Sequence, residues 1–333
     1  MQHRPAFLRG RAAWLAGMLM MCATAFAAPA SGAANVWPER PLRFIVPFPP
    51  GGPTDSFVRT VAGPLGEALG QNVVVENRAG AGGTIGIEAV ARAAPDGYTL
   101  GLGSAGALMA LPHLTKVPYS VTQDLAYVSS LAQVPAVIAV NPATGIADMQ
   151  QLLARAKSEP GKLNYASAGT GTLVHLLGEL FKRETGADIV HVPYKGAAPA
   201  ISDLLGGQVE SIVSDLTPLV PHVAAGKVKV LAVTSAERTD VLPDVPTMAE
   251  LGYPNVLLTT EYGVIMPAGT PQAIVDKVQA ALAQVLKSPE VKQTYARMGA
   301  VPAPSTSAQY RQNVLTSYEY WGRFIKQAGI TID

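Results

Sequence analysis

The residues best placed for chemistry begin with Pro47-Phe48-Pro49-Pro50-Gly51-Gly52-Pro53-Thr54-Asp55. This stretch follows an apolar, β-rich run, Leu42 to Val46. It precedes a helical pattern with apolar residues at Val58, Val61, Leu65 and Leu69. Gly52 suits the N-cap. Pro53 suits the first helical position, because the N–H it lacks would have no partner there. Asp55, at the third position, can reach back to an orphan N–H as in a capping box. Such a turn aims backbone N–H groups, the Thr54 hydroxyl and the positive end of a helix dipole at one point, and that point can bind an anion. The same residues also describe a well-capped helix start that binds nothing, so two readings stand.

Two other stretches invite sharper readings. Ser167, His175 and Asp215 supply the residue types of a hydrolase set, which needs nucleophile, base and orienter within hydrogen-bond reach. His175 falls off the apolar face of its helix and reads as a solvated or helix-start histidine. No G-x-S-x-G elbow is present. His113, His191 and His222 are scattered and lack metal-ligand spacing. Gly80 to Gly86 reads G-A-G-G-T-I-G, which misses the dinucleotide spacing, and no P-loop lysine follows. That loop reads as a tight turn with close packing. Arg78 can steer anions or pair with Glu76.

These residues need elements to hold them. The first hundred residues after the N-terminal segment read strand, glycine loop, helix three times over, which predicts a parallel sheet flanked by helices. Tyr127 to Leu131 and Val134 to Val140 read as two strands, the second crossing into another unit. The rhythm then repeats. Leu163 to Ala166 leads into Ser167-Ala168-Gly169-Thr170-Gly171-Thr172 and a helix. Ile189 to Val192 leads into Pro193-Tyr194-Lys195-Gly196 and another. Val209 to Val213 ends at Ser214-Asp215. Tyr262 to Met266 reads as a return strand, followed by amphipathic helices that come back to the first unit. The expected architecture is two α/β lobes, residues 36–137 with 262–333 and residues 138–261. Ligands in such sheets sit beyond the carboxyl ends of the strands.

Composition limits the rest. A chain of 333 residues can build two cores, and a net charge of +1 gives no reason to expect nucleic acid or an anionic membrane surface. Arg4, Arg9 and Arg11, an apolar run from Ala12 to Ala25, and Ala25-Phe26-Ala27 predict a signal peptide over residues 1–27. Its removal leaves 22 basic against 24 acidic residues, a net charge of −2, and takes away Cys22, the only cysteine. Thiolate catalysis and thiolate metal sites are thereby excluded from the mature chain.

Seven segments, in order, complete the reading: WPERPLRFIVPFPPGGPTD, VVVENRAGAGGTIG, AAPDGYTL, GKLNYASAGTGTLVHLLGELF, VHVPYKGAAPAISDLLGGQV, LAVTSAERTDVLPDVPT and VIMPAGTP. Together they resemble the periplasmic solute receptors of tripartite tricarboxylate transporters, the Bug (TctC-like) family. The resemblance implies a type II periplasmic-binding-protein fold, with two lobes, a hinge and an interdomain cleft. It also implies a monomeric, periplasmic, non-enzymatic protein without cofactor or metal, which binds a small carboxylate and hands it to the membrane permease subunits. Carried over by position, it implies ligand contacts at Phe48, Gly52, Thr54, Ser104, Ser167, Gly169, Thr170, Thr172, Lys195 and Gly196, and Asp215 joins them as the acid beside the position where the family usually has one. A sensing module for a membrane signalling protein and a secreted hydrolase are the alternatives.

Two departures from the family pattern bear on the ligand. The family's usual Asp is replaced by Ser214, with an acid one position on at Asp215; along a strand that step changes the face. A usual Trp is replaced by Glu261. An acid facing the cleft there would disfavour a second ligand carboxylate and favour an amine or hydroxyl.

Overall fold

The computed structural model describes residues 37–332; the expected signal peptide and Cys22 lie outside them. The chain opens with β1 (Leu42–Val46), α1 (Pro53–Leu69), β2 (Val73–Asn77), α2 (Thr84–Ala91), β3 (Thr99–Ser104) and a short α3 (Leu111–Leu114). Then follow β4 (Leu125–Val140), α4 (Met149–Ser158), β5 (Asn164–Ser167), α5 (Leu173–Thr185), β6 (Val190–Pro193) and α6 (Ala197–Leu205). The last part holds β7 (Ser211–Asp215), α7 (Val220–Ala224), β8 (Lys229–Val233), β9 (Thr259–Pro267), α8 (Gln272–Val285), α9 (Pro289–Arg297), β10 (Val301–Pro302) and α10 (Ser307–Ala328).

The strands run in the order β2-β1-β3-β9-β4-β7-β5-β6, with β8 and β10 pairing to β4 off this path. β1 pairs parallel with β2 and β3, and β5 pairs parallel with β6 and β7. The antiparallel pairs involve the two strands that link these groups. β9 pairs with β3 and with Leu125–Pro135 of β4, while Ala136–Val140 of β4 pairs with β7 and β8. β4 is therefore one strand of 16 residues, where the sequence predicted two. At the expected break Ala132 and Gln133 pair in unbroken register with Tyr262 and Glu261; the register shifts lie just before it, between Tyr127 and Ser129 and between Ser130 and Ala132. An extra residue at a bulge bends a strand without ending it. All but two residues of β4 are buried, as expected of a strand covered on both faces.

Around this shared strand the fold is mixed α/β with two lobes. Helices α8 and α9 pack on α1, and α10 packs along β4. One hydrophobic cluster runs from Ile45 and Leu108 through Tyr127 and Leu177 to Trp321. A second, built on Val137, Ala166, Leu204, Ile212 and Leu219, lies under β7 and α6. Two glycines permit close approach. A Cβ on Gly263 would stand 2.2 Å from the Tyr310 ring, and one on Gly86 would stand 2.6 Å from the Pro47 backbone. The latter supports the close-packing reading of the Gly80–Gly86 loop. In that loop Gly80, Gly82 and Gly83 all take positive φ. Among the described residues no helix is long and apolar enough to cross a membrane.

Candidate functional site

The Pro47–Asp55 loop is anchored from below. Asn77, at the end of β2, donates from Nδ2 to the Phe48 carbonyl at 3.0 Å and to Asp55 Oδ1 at 2.8 Å. Asp55 Oδ2 accepts from the Gly51 N–H at 2.9 Å and from Arg59 Nε at 2.8 Å. Burial alone would raise the Asp55 carboxyl, but these donors outweigh it and hold it below the ordinary carboxylate range. Asp55 is thus a reach-back partner of the helix start, as its position predicts, and Gly52 caps α1 with no side-chain hydrogen bond. The first-turn N–H groups have no intrahelical acceptor, as in any α-helix. Arg78 pairs with Glu76 at 2.6 Å, the structural reading of that residue.

A cavity of about 860 Å³ opens where this helix start faces the loop after β6 and the end of β7. Of the residues singled out in the sequence, Phe48, Gly52, Thr54, Lys195, Gly196 and Asp215 line it. Phe57, Val134, Val174, Ile201, Leu205 and Pro218 give it apolar walls. Thr54 is buried, and its hydroxyl makes no hydrogen bond to another described residue.

Both residues of the displaced acid pair reach the cavity wall. The Ser214 hydroxyl is turned back to the Asp215 carbonyl at 3.0 Å. The Asp215 carboxyl accepts from the Thr260 hydroxyl at 2.6 Å and from the Tyr262 phenol at 3.4 Å. Burial pushes this carboxyl up to about 6, against the lowering effect of both donors. Burial and the adjacent Asp215 keep the Tyr262 phenol protonated, far above its ordinary range. Thr217, two residues on, also lines the cavity, and its buried Oγ1 has no hydrogen-bond partner among the described residues. Sequence reasoning missed Thr217, His222 and Tyr262. The period-2 spacing of Thr260 and Tyr262 on β9 was a usable signal, but only the pairing of β9 with β4 brings that face to Asp215.

Five expected contacts do not line this cavity: Ser104, Ser167, Gly169, Thr170 and Thr172. Ser104 ends β3 and is buried, with its Oγ unpartnered among the described residues; it lies 3.4 Å from where a Cβ on Gly83 would sit. The other four belong to a loop whose polar groups are mostly spent on its own shape. Ser167 is buried, shares a hydrogen bond with His191 Nε2 at 2.7 Å and accepts the Gly169 N–H at 3.1 Å. Thr172 caps α5 by accepting the His175 N–H, and donates to the Gly169 carbonyl at 2.7 Å. Thr170 alone is exposed. The loop's one residue on the cavity is Ala168.

The hydrolase set does not assemble. His175 is a helix-start histidine, as one of its two readings had it, but buried rather than solvated: it accepts the Gly171 N–H at Nδ1 and stacks on His191 with ring centres 4.1 Å apart. The apolar-face count missed this because His191 arrives from β6, which pairs with β5 beneath the helix start. Burial, and then the neighbouring His175, pushes His191 down to about 4, so it is neutral at pH 7. No carboxylate hydrogen-bonds His191 among the described residues, and Asp215 is engaged elsewhere. Glu261 also departs from its conditional role. It is buried on the other face of β9, accepts from Ser130 Oγ at 2.5 Å and Asn313 Nδ2 at 3.2 Å, and lines a separate cavity of about 300 Å³. Alternation along β9 sends it away from Tyr262's side. No group of three or more possible metal ligands occurs among the described residues.

Two lobes sharing long strands, with a cavity at a helix N-terminus, define the class of periplasmic binding proteins. The structure of the periplasmic binding protein BugD superimposes with a TM-score of 0.77 at 36% identity, covering 89% of this chain and 99% of that one. The structure of R. palustris Rpa4515 with adipate gives 0.80 at 34% identity, covering 89% and 99%. Protein BugT of Bordetella pertussis (strain Tohama I) is 41% identical over 313 residues, 93% of this chain and 95% of BugT. The Tripartite tricarboxylate transporter family receptor profile matches residues 57–330. The chain belongs to that receptor family, as its ordered segments suggested.

Proposed function

We propose that the protein is an exported receptor that captures a small carboxylate in the 860 Å³ cavity and delivers it to a tripartite tricarboxylate-type permease, without catalysis. The observation that carries this reading is the α1 N-terminus, with its unbonded Thr54 hydroxyl and no side-chain cap, facing an apolar cavity closed by elements from the other side of the shared strand. Fixed N–H groups and hydroxyls replace the water that a carboxylate loses on burial. The adipate bound to Rpa4515 supports the ligand class. The lobes are residues 36–137 with 262–333, and residues 138–261. A ligand that touches both favours the closed form by its differential affinity, and the closed form is what the permease reads.

Mass spectrometry of solute released from freshly purified protein tests this directly, followed by a thermal-shift panel of carboxylates. A carboxylate in the released fraction and a raised melting temperature with the same compound are expected. A neutral or cationic solute alone, with no response to any carboxylate, overturns the reading.

A further inference from the structure

The acid of the cavity is not where the family pattern put it, and its surroundings say what it can recognise. Asp215 ends β7 and lines the cavity together with Thr217 and Tyr262. Its Oδ1 takes one hydrogen bond from Thr260 and its Oδ2 a long one, 3.4 Å, from Tyr262. An ionised carboxyl has about four acceptor positions. Two neutral donors leave acceptor capacity unused on a half-buried group. No ion pair involves Asp215 among the described residues. The other titratable groups sharing the cavity are Tyr262, which hydrogen-bonds it, and Lys195 and His222, which form no ion pair with it among the described residues. The apolar walls, Phe57, Val134 and Ile201 among them, separate such a group from water without satisfying it. A ligand group brought there must therefore donate. A second carboxylate would place like charges together in a poorly hydrated site, which costs both.

We propose that the Asp215 end of the cavity is a donor-selective subsite: the ligand carries one carboxylate, held at the α1 N-terminus, and at its far end a hydroxyl or ammonium group that donates to Asp215, rather than a second carboxylate. The proposal rests on the carboxylate reading given above and narrows it. It sets this receptor apart from Rpa4515, whose adipate is a carboxylate at both ends. Asp215 acts as the discriminating residue; Thr217, with its unpartnered buried hydroxyl, completes the polar end. The aliphatic or aromatic middle of the ligand lies along the apolar walls.

Calorimetry at pH 7.5 with adipate, 6-hydroxyhexanoate and 6-aminohexanoate tests it, on wild type and Asp215→Asn. These probes share a chain length and one carboxylate and differ in the far group. The wild type is expected to bind the hydroxy or the amino acid at least about tenfold more tightly than adipate. Which of the two leads tells a neutral donor from a cation. In Asp215→Asn, whose amide can donate to a carboxylate, that ratio should fall to within about threefold. Adipate binding the wild type as tightly as either probe overturns the proposal and leaves the carboxylate reading intact; this comparison needs no variant. An unchanged ratio in a folded Asp215→Asn protein also overturns it. If none of the three acids binds the wild type, this proposal fails, and the carboxylate reading is judged separately by the released solute and the thermal-shift panel.

Discussion

Thr54 and Asp215 bracket the cavity, and each makes a prediction of its own. The Thr54 hydroxyl is buried at the α1 start and bonds no other described residue. Thr54→Ala should weaken carboxylate binding about tenfold, the effect of losing one hydrogen bond to a charged group, while urea unfolding stays within about 1 kcal/mol of wild type. Calorimetric affinity equal to wild type would count against the site. Asp215 governs a pH effect. Its carboxyl is held up at about 6 in the folded chain, against about 3.9 when unfolded. Between those values the unfolded chain has released a proton that the folded chain keeps. Stability therefore falls as pH rises through that window, by up to about 3 kcal/mol. Asp215→Asn should flatten that decline, so urea midpoints at pH 4 and pH 7 should differ less in the variant. Parallel profiles would show that Asp215 ionises as freely in the fold as outside it. Asp55 has the opposite sign: its depressed carboxyl contributes stability above its unfolded value that is lost as pH falls through the folded one.

At the scale of elements, the Pro47–Asp55 turn depends on what lies behind it. Asn77 from β2 and Asp55 from α1 hold the loop's backbone, and α2 presses Gly86 against Pro47. A methyl at Gly86 would meet that backbone at 2.6 Å. Gly86→Ala should therefore destabilise by about 1–3 kcal/mol as overpacking. It should also lower ligand affinity, because the strained contact is the root of the loop. Circular dichroism during urea titration and calorimetry on the same samples would separate the two effects. A stable variant with wild-type affinity would mean that the loop tolerates a shift at its base.

For the whole molecule, β4 and β9 carry the load between lobes. β4 spends its first part on β9 and its last part on β7 and β8. Small changes along these strands can swing what is attached to each end. Saturating ligand should reduce the radius of gyration in solution scattering. At a hundred times Kd it should add about 2.7 kcal/mol of apparent stability. Stabilisation with no compaction would place the ligand on one lobe alone.

Much of this was legible in the chain. The Gly52-Pro53 helix start and the repeated strand-loop-helix rhythm follow from local sterics, capping and apolar period, which a sequence displays directly. The Pro47–Thr54 side of the cavity was readable for that reason. What stayed hidden depended on distant partners. Whether β4 is one strand or two, whether His175 meets water or His191, and which way Glu261 points are settled by strands that arrive from elsewhere in the chain. Ser167 and Thr172 have the residue types of ligand contacts, yet their hydroxyls are taken up within the protein. The sequence alone determined which backbone groups could stand unbonded at a helix end. Only the tertiary structure decided which acid shares their cavity, because the environment of a side chain is set by the segments packed against it.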